Sequence, residues 1–145
     1  METLEPFERR IVNESRDSVE RVLVAGMPIP KGAYVYATVH RGIVYCSGQL
    51  GVDPVTGEMP VGVAAQTRRA LQNLEFVLSG VGSDLTQVLR AMVYLRDPSS
   101  FAEMDSTFAE IFGDHRPART TLPGIGFRAG VEVEIDVTAA LPVSG

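Results

Sequence analysis

The feature that most constrains the fold is a strictly alternating run near the C-terminal end, residues 131–137, with the sequence VEVEIDV. Successive side chains of a β-strand point to opposite faces of a sheet, so this run predicts a strand with one apolar and one acidic face. The apolar face needs a core to pack against. The acidic face must meet water, a cation or a partner chain, and Arg119, near the start of the preceding predicted strand, is the obvious cation.

The length and composition predict one globular domain. A chain of 145 residues can bury a core that is stable without disulfides or a structural metal ion. A content of 45% hydrophobic and 21% charged residues is typical of a soluble protein. The net charge of −5 removes the usual electrostatic drive for nucleic-acid binding, so we expect no nucleic-acid partner. Because Cys46 is the single cysteine, the chain can form neither an internal disulfide nor a thiolate zinc site.

No targeting, membrane or metal-binding segment is predicted. Residues 1–17 lack the apolar segment of a signal peptide, and no window approaches the about 18 uninterrupted apolar residues of a membrane span. We therefore expect a cytoplasmic enzyme or binding protein with no membrane partner. His40 and His115 have no partners at metal-ligand spacing, so we assign no metal.

The chain divides into an N-terminal arm, residues 1–31, with one short strand or helical turn, and a single domain, residues 32–145. β-branched and aromatic residues predict a hairpin over residues 34–47. Apolar residues at helical spacing from Val63 to Val81 predict one helix, with Gly80 and Gly82 as stop signals at its end, and a second helix is predicted to begin after Asp97. Three further strands are predicted, at residues 88–95, 119–122 and 131–139.

The predicted order is β-β-α-β-α-β-β, with about six short strands and two amphipathic helices. Each helix has one apolar stripe, so both can lie on the same face of one mixed sheet. The other face of the sheet then lacks a cover, and self-association is the simplest way to provide one. The pattern thus predicts an α+β protein that forms an oligomer.

Two charged residues are candidates for chemistry. Arg119 could hold a substrate carboxylate in its guanidinium fork while Glu134 orients or activates a water molecule. The alternative is a cross-strand ion pair on a solvated face, which is common in sheets and contributes little to stability. Spacing alone favours this alternative.

A second group of candidates consists of small polar residues and one cysteine. The hydroxyl groups of Tyr34, Ser47 and Thr121 could bind a polar ligand, although a hydroxyl in a strand is more often structural. Gly48 follows an apolar strand, where a glycine lets the backbone approach a ligand closely. Cys46 lies inside the apolar run and is interpreted as a buried small hydrophobe rather than a nucleophile.

Several motifs occur in the order that is typical of one family. They are SGQ at 47–49, DPxTGE at 53–58, QT at 66–67 with ALxNL at 70–74, VYLRD at 93–97 with Phe101, RPAR at 116–119 and VEI at 133–135. On these motifs the chain resembles, from about Gly32 to Ala140, the reactive intermediate deaminases, also called the Rid, YjgF-like or endoribonuclease L-PSP family.

The resemblance implies a chorismate-mutase-like α+β fold, with a six-stranded mixed sheet and two helices on one face. It also implies a homotrimer with a barrel-like core and an active site in each cleft between subunits. Active members are 2-iminobutanoate/2-iminopropanoate deaminase-type hydrolases in metabolite damage control. They convert small enamine or imine carboxylates, such as 2-aminoacrylate, to a 2-keto acid and ammonia without a metal or organic cofactor.

The resemblance also implies roles for six residues. Arg119 is expected to bind the substrate carboxylate and Glu134 to position the attacking water, so these two are the predicted catalytic residues. Four further positions are expected to bind substrate: Tyr34, which follows Gly-Ala where the family has Gly-Pro; Ser47; Gly48; and Thr121, where the family often has cysteine.

Two alternatives stay open at this point. Some relatives are called endoribonucleases, although the acidic composition and the lack of a histidine pair or metal site argue against a nuclease here. A non-catalytic trimeric protein that binds a small ligand in the same cleft is the second alternative.

Overall fold

The computed structural model describes residues 18–143, so most of the predicted arm, and the segment tested for a signal peptide, lie outside the described residues. Within these residues, seven strands and two α-helices form an α+β fold. The strands are β1 (Glu20–Val22), β2 (Ala37–His40), β3 (Ile43–Cys46), β4 (Gln49–Leu50), β5 (Val88–Leu95), β6 (Ala118–Leu122) and β7 (Val133–Ala140); the helices are α1 (Val63–Gly80) and α2 (Phe101–Phe112).

The strands form one mixed sheet in the order β1-β2-β3-β7-β5-β6, and β4 also pairs with β7. Strand β7 is central, because it pairs antiparallel with β3, β4 and β5. Strand β6 lies at one edge and is parallel to β5, in contrast to the antiparallel pairs elsewhere in the sheet. The chain reaches this parallel edge through α2, as a parallel connection requires.

The predicted alternation of β7 is confirmed. The apolar members of the run are buried and the acidic members are partly exposed; the buried ones are Val131, Val133, Ile135 and Val137. The buried face packs against α1 and belongs to a single hydrophobic cluster that also includes residues of α2, β2, β3 and β5. We call the opposite face, which carries the acidic side chains, the open face of the sheet.

Both helices form where the sequence predicts them, and each has a clear boundary. A short 3₁₀ turn, Pro98–Ser100, precedes α2, and the Asp97 carboxylate caps it by accepting the Ser99 backbone N–H at 2.9 Å. Helix α2 ends at Gly113, whose φ of 55° lies in the left-handed region that glycine adopts without strain. Helix α1 packs on α2 and on β7.

The structure corrects the predicted strand count from six to seven. The additional strand is β4, a two-residue ladder on β7 that is too short to show an alternating pattern. Strand β1 pairs with β2, and Val22, Val24 and Met27 belong to the core, so part of the predicted arm is integral to the sheet. The predicted boundary between residues 31 and 32 stays a prediction. Cys46 is buried, as predicted.

One buried amide connects α1 to the loop before β7. The Gln66 side chain is 1% exposed; its Nε2 donates to the carbonyl oxygens of Pro60 and Gly130 at 2.9 and 2.8 Å. Its Oε1 accepts the backbone N–H of Glu132 at 2.8 Å. The amide thus satisfies three backbone groups of loops that have no ladder partner of their own.

We expect Gln66→Met to destabilise the protein by about 2–4 kcal/mol, because it leaves these three backbone groups without a partner in a buried place. The matched control is Gln72→Met, the same change at an exposed position of α1. Urea unfolding of the two variants measures the difference. Equal stability of both would show that water replaces the Gln66 amide at no cost.

Candidate active site

Arg119 lies on the helix-covered side of the edge strand β6. Its register partner on β5 is Ala91, which is fully buried under the helices, and paired residues on neighbouring strands point to the same face. The guanidinium Nη1 lies 2.8 Å from the Asp105 carboxylate of α2. The Arg119 side chain is 19% exposed, so a ligand can still reach it.

Two aromatic rings of α2 also hold this guanidinium. The Arg119 Cζ lies 4.7 Å from the ring centre of Phe108 and 5.6 Å from that of Phe101. Such cation–π contacts stabilise an arginine while leaving most of its N–H donors available. The spacing of Phe101, Asp105 and Phe108 places all three on one face of α2.

Glu134 lies on the open face, beside the chain segment that follows β3. The Glu134 carboxylate packs against Gly48 so closely that a Cβ at position 48 would collide with it. A side chain at position 48 would therefore displace the Glu134 carboxylate from this position. Burial, and to a smaller extent the charge of Asp136, raises the pKa of the Glu134 carboxyl above its ordinary value.

A tyrosine on β5 holds the second acid of this face. The Tyr94 hydroxyl donates to Asp136 Oδ2 at 2.8 Å. This hydrogen bond is also the main cause of the raised pKa of Tyr94, because deprotonation would remove the donor. Asp136 thus keeps a fixed orientation two residues along β7 from Glu134.

A cleft of about 160 Å³ opens beside Gly48 and Tyr34. Tyr34 is 55% exposed, whereas Tyr36 is buried and donates its hydroxyl to the Pro28 carbonyl. Burial is the main cause that raises the pKa of Tyr36 to about 12, so it stays protonated. Asn73 of α1 fixes the wall of the cleft, because its Nδ2 donates to the backbone of the β4 segment.

The structure gathers the predicted site residues into two groups. Tyr34, Gly48 and Glu134 are connected through the cleft and the Gly48 contact. Ser47 adjoins this group, but its hydroxyl donates to the Val35 carbonyl at 2.6 Å, a structural bond. Thr121 stands on β6 with Val93 as its register partner, on the same side of the sheet as Arg119.

The structure corrects one interpretation. Arg119 and Glu134 point to opposite faces of the sheet, because Arg119 is in register with the buried Ala91, whereas the β5 partner of Glu134 is Tyr94 on the open face. The expected cross-strand pair between them is therefore wrong, and so is the role of Arg119 as the cation for the acidic face of its own chain. Arg119 pairs with Asp105 instead.

Asp105 and Tyr94 were not among the predicted site residues. Phe101 and Phe108 are aromatic residues seven positions apart, and Asp105 lies between them at helical spacing, which is a signal that it shares their face of the helix. Tyr94 and Asp136 have no such local signal, since they meet only through the pairing of β5 with β7.

The arrangement offers a cation with free donors and a carboxylate that binds a proton more readily than usual. The guanidinium can bind a small carboxylate and the carboxylate can move a proton, but within one chain the two groups lie on opposite faces of the sheet. Residues 18–143 contain no group of three or more His, Cys, Asp or Glu side chains that could hold a metal ion. None of the helices in this part of the chain has the length and apolarity to span a bilayer.

Comparison with known proteins gives consistent matches. The family model described as endoribonuclease L-PSP matches residues 25–141. A RutC family protein of Pyrococcus horikoshii is 34% identical over 121 residues, which cover 83% of this chain and 96% of that protein. The 2-iminobutanoate/2-iminopropanoate deaminase of Bos taurus is 34% identical over 119 residues, 81% of this chain and 87% of that protein.

A solved structure has the same fold. The crystal structure of Escherichia coli TdcF with bound serine matches with a TM-score of 0.75 at 26% identity, covering 81% of this chain and 97% of that one.

Asp136→Asn is expected to lower the pKa of the Glu134 carboxyl, because it removes a nearby negative charge. The pKa should stay above the ordinary value, because burial is the larger cause. Carbon-13 NMR titration of labelled glutamate carboxyl groups measures this. Asp114→Asn, at an exposed turn after α2, is the matched control. An unchanged Glu134 pKa in Asp136→Asn would contradict the electrostatic coupling.

Proposed function

The chain belongs to the endoribonuclease L-PSP family, and on this basis we propose that it is an enamine/imine deaminase that hydrolyses 2-aminoacrylate-like intermediates to 2-keto acids and ammonia. The observation that carries the proposal is the guanidinium of Arg119, which keeps donors available for a substrate carboxylate. Relatives named 2-iminobutanoate/2-iminopropanoate deaminase support it at about one-third identity. Serine, the ligand of the TdcF structure, has the carboxylate and nitrogen of such a substrate.

The reaction needs orientation more than a strong nucleophile, because the imine carbon is already electrophilic. Arg119 binds the substrate carboxylate and so places the imine carbon. As the C–O bond forms, Glu134 accepts a proton from the attacking water, and the C=N electron pair moves onto the nitrogen of the protonated imine. Glu134 then returns that proton to the nitrogen of the resulting carbinolamine. The carbinolamine hydroxyl gives its proton to Glu134 while the C–N bond breaks, and the bonding electron pair leaves with the nitrogen, which gives the 2-keto acid and ammonia.

The substrate-binding positions Tyr34, Ser47, Gly48 and Thr121 complete the proposed site. Gly48 lets the substrate approach the backbone beside Glu134. The hydroxyl of Tyr34, which is exposed, can contact the bound carbinolamine. Ser47 supports the backbone through its bond to Val35, and Thr121 provides a hydroxyl on the side of Arg119.

The proposed site is shared between two copies of the chain in a homotrimer. Within one chain the sheet separates Arg119 from Glu134, so neither can serve a substrate held by the other. A second copy that covers the open face can bring its own β6 edge to the Glu134 cleft. The proposed site is therefore complete only when two copies of the chain associate. The open face, which includes the partly exposed Tyr45, provides a surface for this association.

Mixing two inactive variants tests the shared site. Arg119→Ala and Glu134→Gln should each lower kcat/KM by about 100-fold or more, because the first removes the group that positions the substrate and the second the group that accepts the water proton. In trimers reassembled from an equal mixture, about a quarter of the sites should combine a wild-type arginine with a wild-type glutamate. We expect activity to return to about that fraction in a coupled assay that generates 2-aminoacrylate from serine.

Arg68→Ala is the control variant, because Arg68 lies on the exposed side of α1 and pairs with Glu110. It should keep wild-type activity. Mixtures that stay inactive, although sedimentation shows mixed trimers, would contradict the shared site. A stable monomer with full activity would contradict the assembly itself.

Glu134→Gln should reduce turnover much more than affinity, because the amide keeps the size of the side chain but cannot accept the water proton. In the wild type, kcat should fall as the pH drops through the raised pKa of Glu134, because the protonated acid is no longer a base. The profile of kcat against pH checks both points. Unchanged turnover of Glu134→Gln would remove this residue from the mechanism.

The family description keeps a second candidate, an endoribonuclease. The net charge of −5 argues against RNA binding. RNA cleavage that persists with a chelator and disappears in Arg119→Ala would favour the nuclease. Keto-acid formation at the same rate with and without the protein would favour a non-catalytic binding protein.

A role in cytoplasmic metabolite damage control follows from the proposed activity, since 2-aminoacrylate-type intermediates react with other cell components.

A further inference from the structure

The Asp105 carboxylate, which pairs with Arg119, takes no part in the steps of the proposed reaction. Asp105 lies 2.8 Å from Arg119 Nη1, and its side chain is 47% exposed. A carboxylate so close to a substrate-binding guanidinium competes for the same positive charge as the substrate does. Its presence therefore needs an explanation beyond attaching β6 to α2.

Asp105 engages the guanidinium through Nη1 alone. An arginine has five N–H donors in a planar fork, and within residues 18–143 no other acceptor contacts this one. The rings of Phe101 and Phe108 restrict its movement. One edge of the fork is thus held in place, and the remaining donors can bind a second carboxylate.

The charges of substrate and product differ in a way that Asp105 can detect. A protonated imine with one carboxylate has no net charge, whereas the 2-keto acid that replaces it carries one negative charge. Arg119 and Asp105 together are neutral. The cationic nitrogen of a net-neutral ligand is attracted by the Asp105 carboxylate. An anionic ligand of the same size has no such nitrogen, so its negative charge is only repelled by Asp105.

We propose that Asp105 is a specificity-determining counter-ion, which orients Arg119 and makes the site prefer zwitterionic imine substrates to anionic keto-acid products. The inference rests on the proposed function. It gives the site a way to release product, because hydrolysis converts a ligand that Asp105 attracts into one that it repels. It also defines the substrate class as monocarboxylates with a protonated nitrogen.

Binding of two small probes tests this without turnover. Alanine and lactate are nearly equal in size, but alanine has an ammonium group where lactate has a hydroxyl group. Alanine therefore represents the zwitterion, and lactate represents the anion. We expect the wild-type protein to bind alanine more tightly than lactate by isothermal titration calorimetry. In Asp105→Asn this preference should fall by about fivefold, because the amide keeps an acceptor for Arg119 but has no charge.

Two control variants separate the charge from the fold. Glu110→Gln removes one negative charge from the same helix, at the exposed Arg68 pair, and should keep the wild-type preference. Asp105→Glu keeps the charge and should also retain most of the preference. Thermal unfolding of each variant shows whether α2 is intact, and if Asp105→Asn does not fold, Asp105→Ser takes its place.

The outcomes distinguish this inference from the proposed function. If both probes bind through Arg119, as shown by their loss in Arg119→Ala, and Asp105→Asn keeps the preference for alanine, the counter-ion role is wrong while the deaminase proposal stands. If Glu110→Gln reduces the preference as much as Asp105→Asn, the effect is the net charge and not Asp105. If the wild type binds neither probe, or binds lactate as tightly as alanine, the counter-ion role is overturned, and the turnover assay decides the deaminase proposal separately.

Discussion

The structure depends on the packing of one face of β7 against α1, in a core that α2 also joins. This strand pairs with three others and buries an apolar side chain at every second position from Val133 to Ala139. Each such burial contributes about 1.5–3 kcal/mol for a larger side chain, so a register slip of one residue would expose the whole set and bury acids instead. The alternation of β7 therefore fixes the acidic side chains on the opposite face of the sheet.

The division of the sheet into a buried face and an open face separates the two candidate catalytic groups, Arg119 and Glu134. Glu134 belongs to the open face because its neighbours on β7 are core residues, and Arg119 belongs to the helix side because its register follows that of Ala91. In the proposed mechanism a single chain therefore carries two half-sites, and association joins them. Coverage of the open face and completion of the active site are then the same event, so an unassembled chain has neither.

Each half-site has an acid that adjusts its key residue. Asp136, held by the Tyr94 hydroxyl, adds to the effect of burial in raising the pKa of Glu134, which suits a group that accepts and returns a proton. Asp105 balances the charge of Arg119 and orients it. Neither acid contacts the reacting atoms in the proposed mechanism, and both act on the electrostatics of residues that do.

The sequence by itself determined the elements, because helices and strands follow from local periodicity: the two helices, the hairpin and the alternating β7 lie where the pattern predicts them. It also named Arg119 and Glu134 through motifs. The alternation of β7 also placed Glu134 on the acidic face. Only the tertiary structure decided which face Arg119 occupies, since that depends on the register of β6 with β5, which no local pattern encodes. The partners Asp105 and Tyr94 likewise appear only when α2 and β5 are packed, because electrostatic contacts depend on distances in space rather than along the chain.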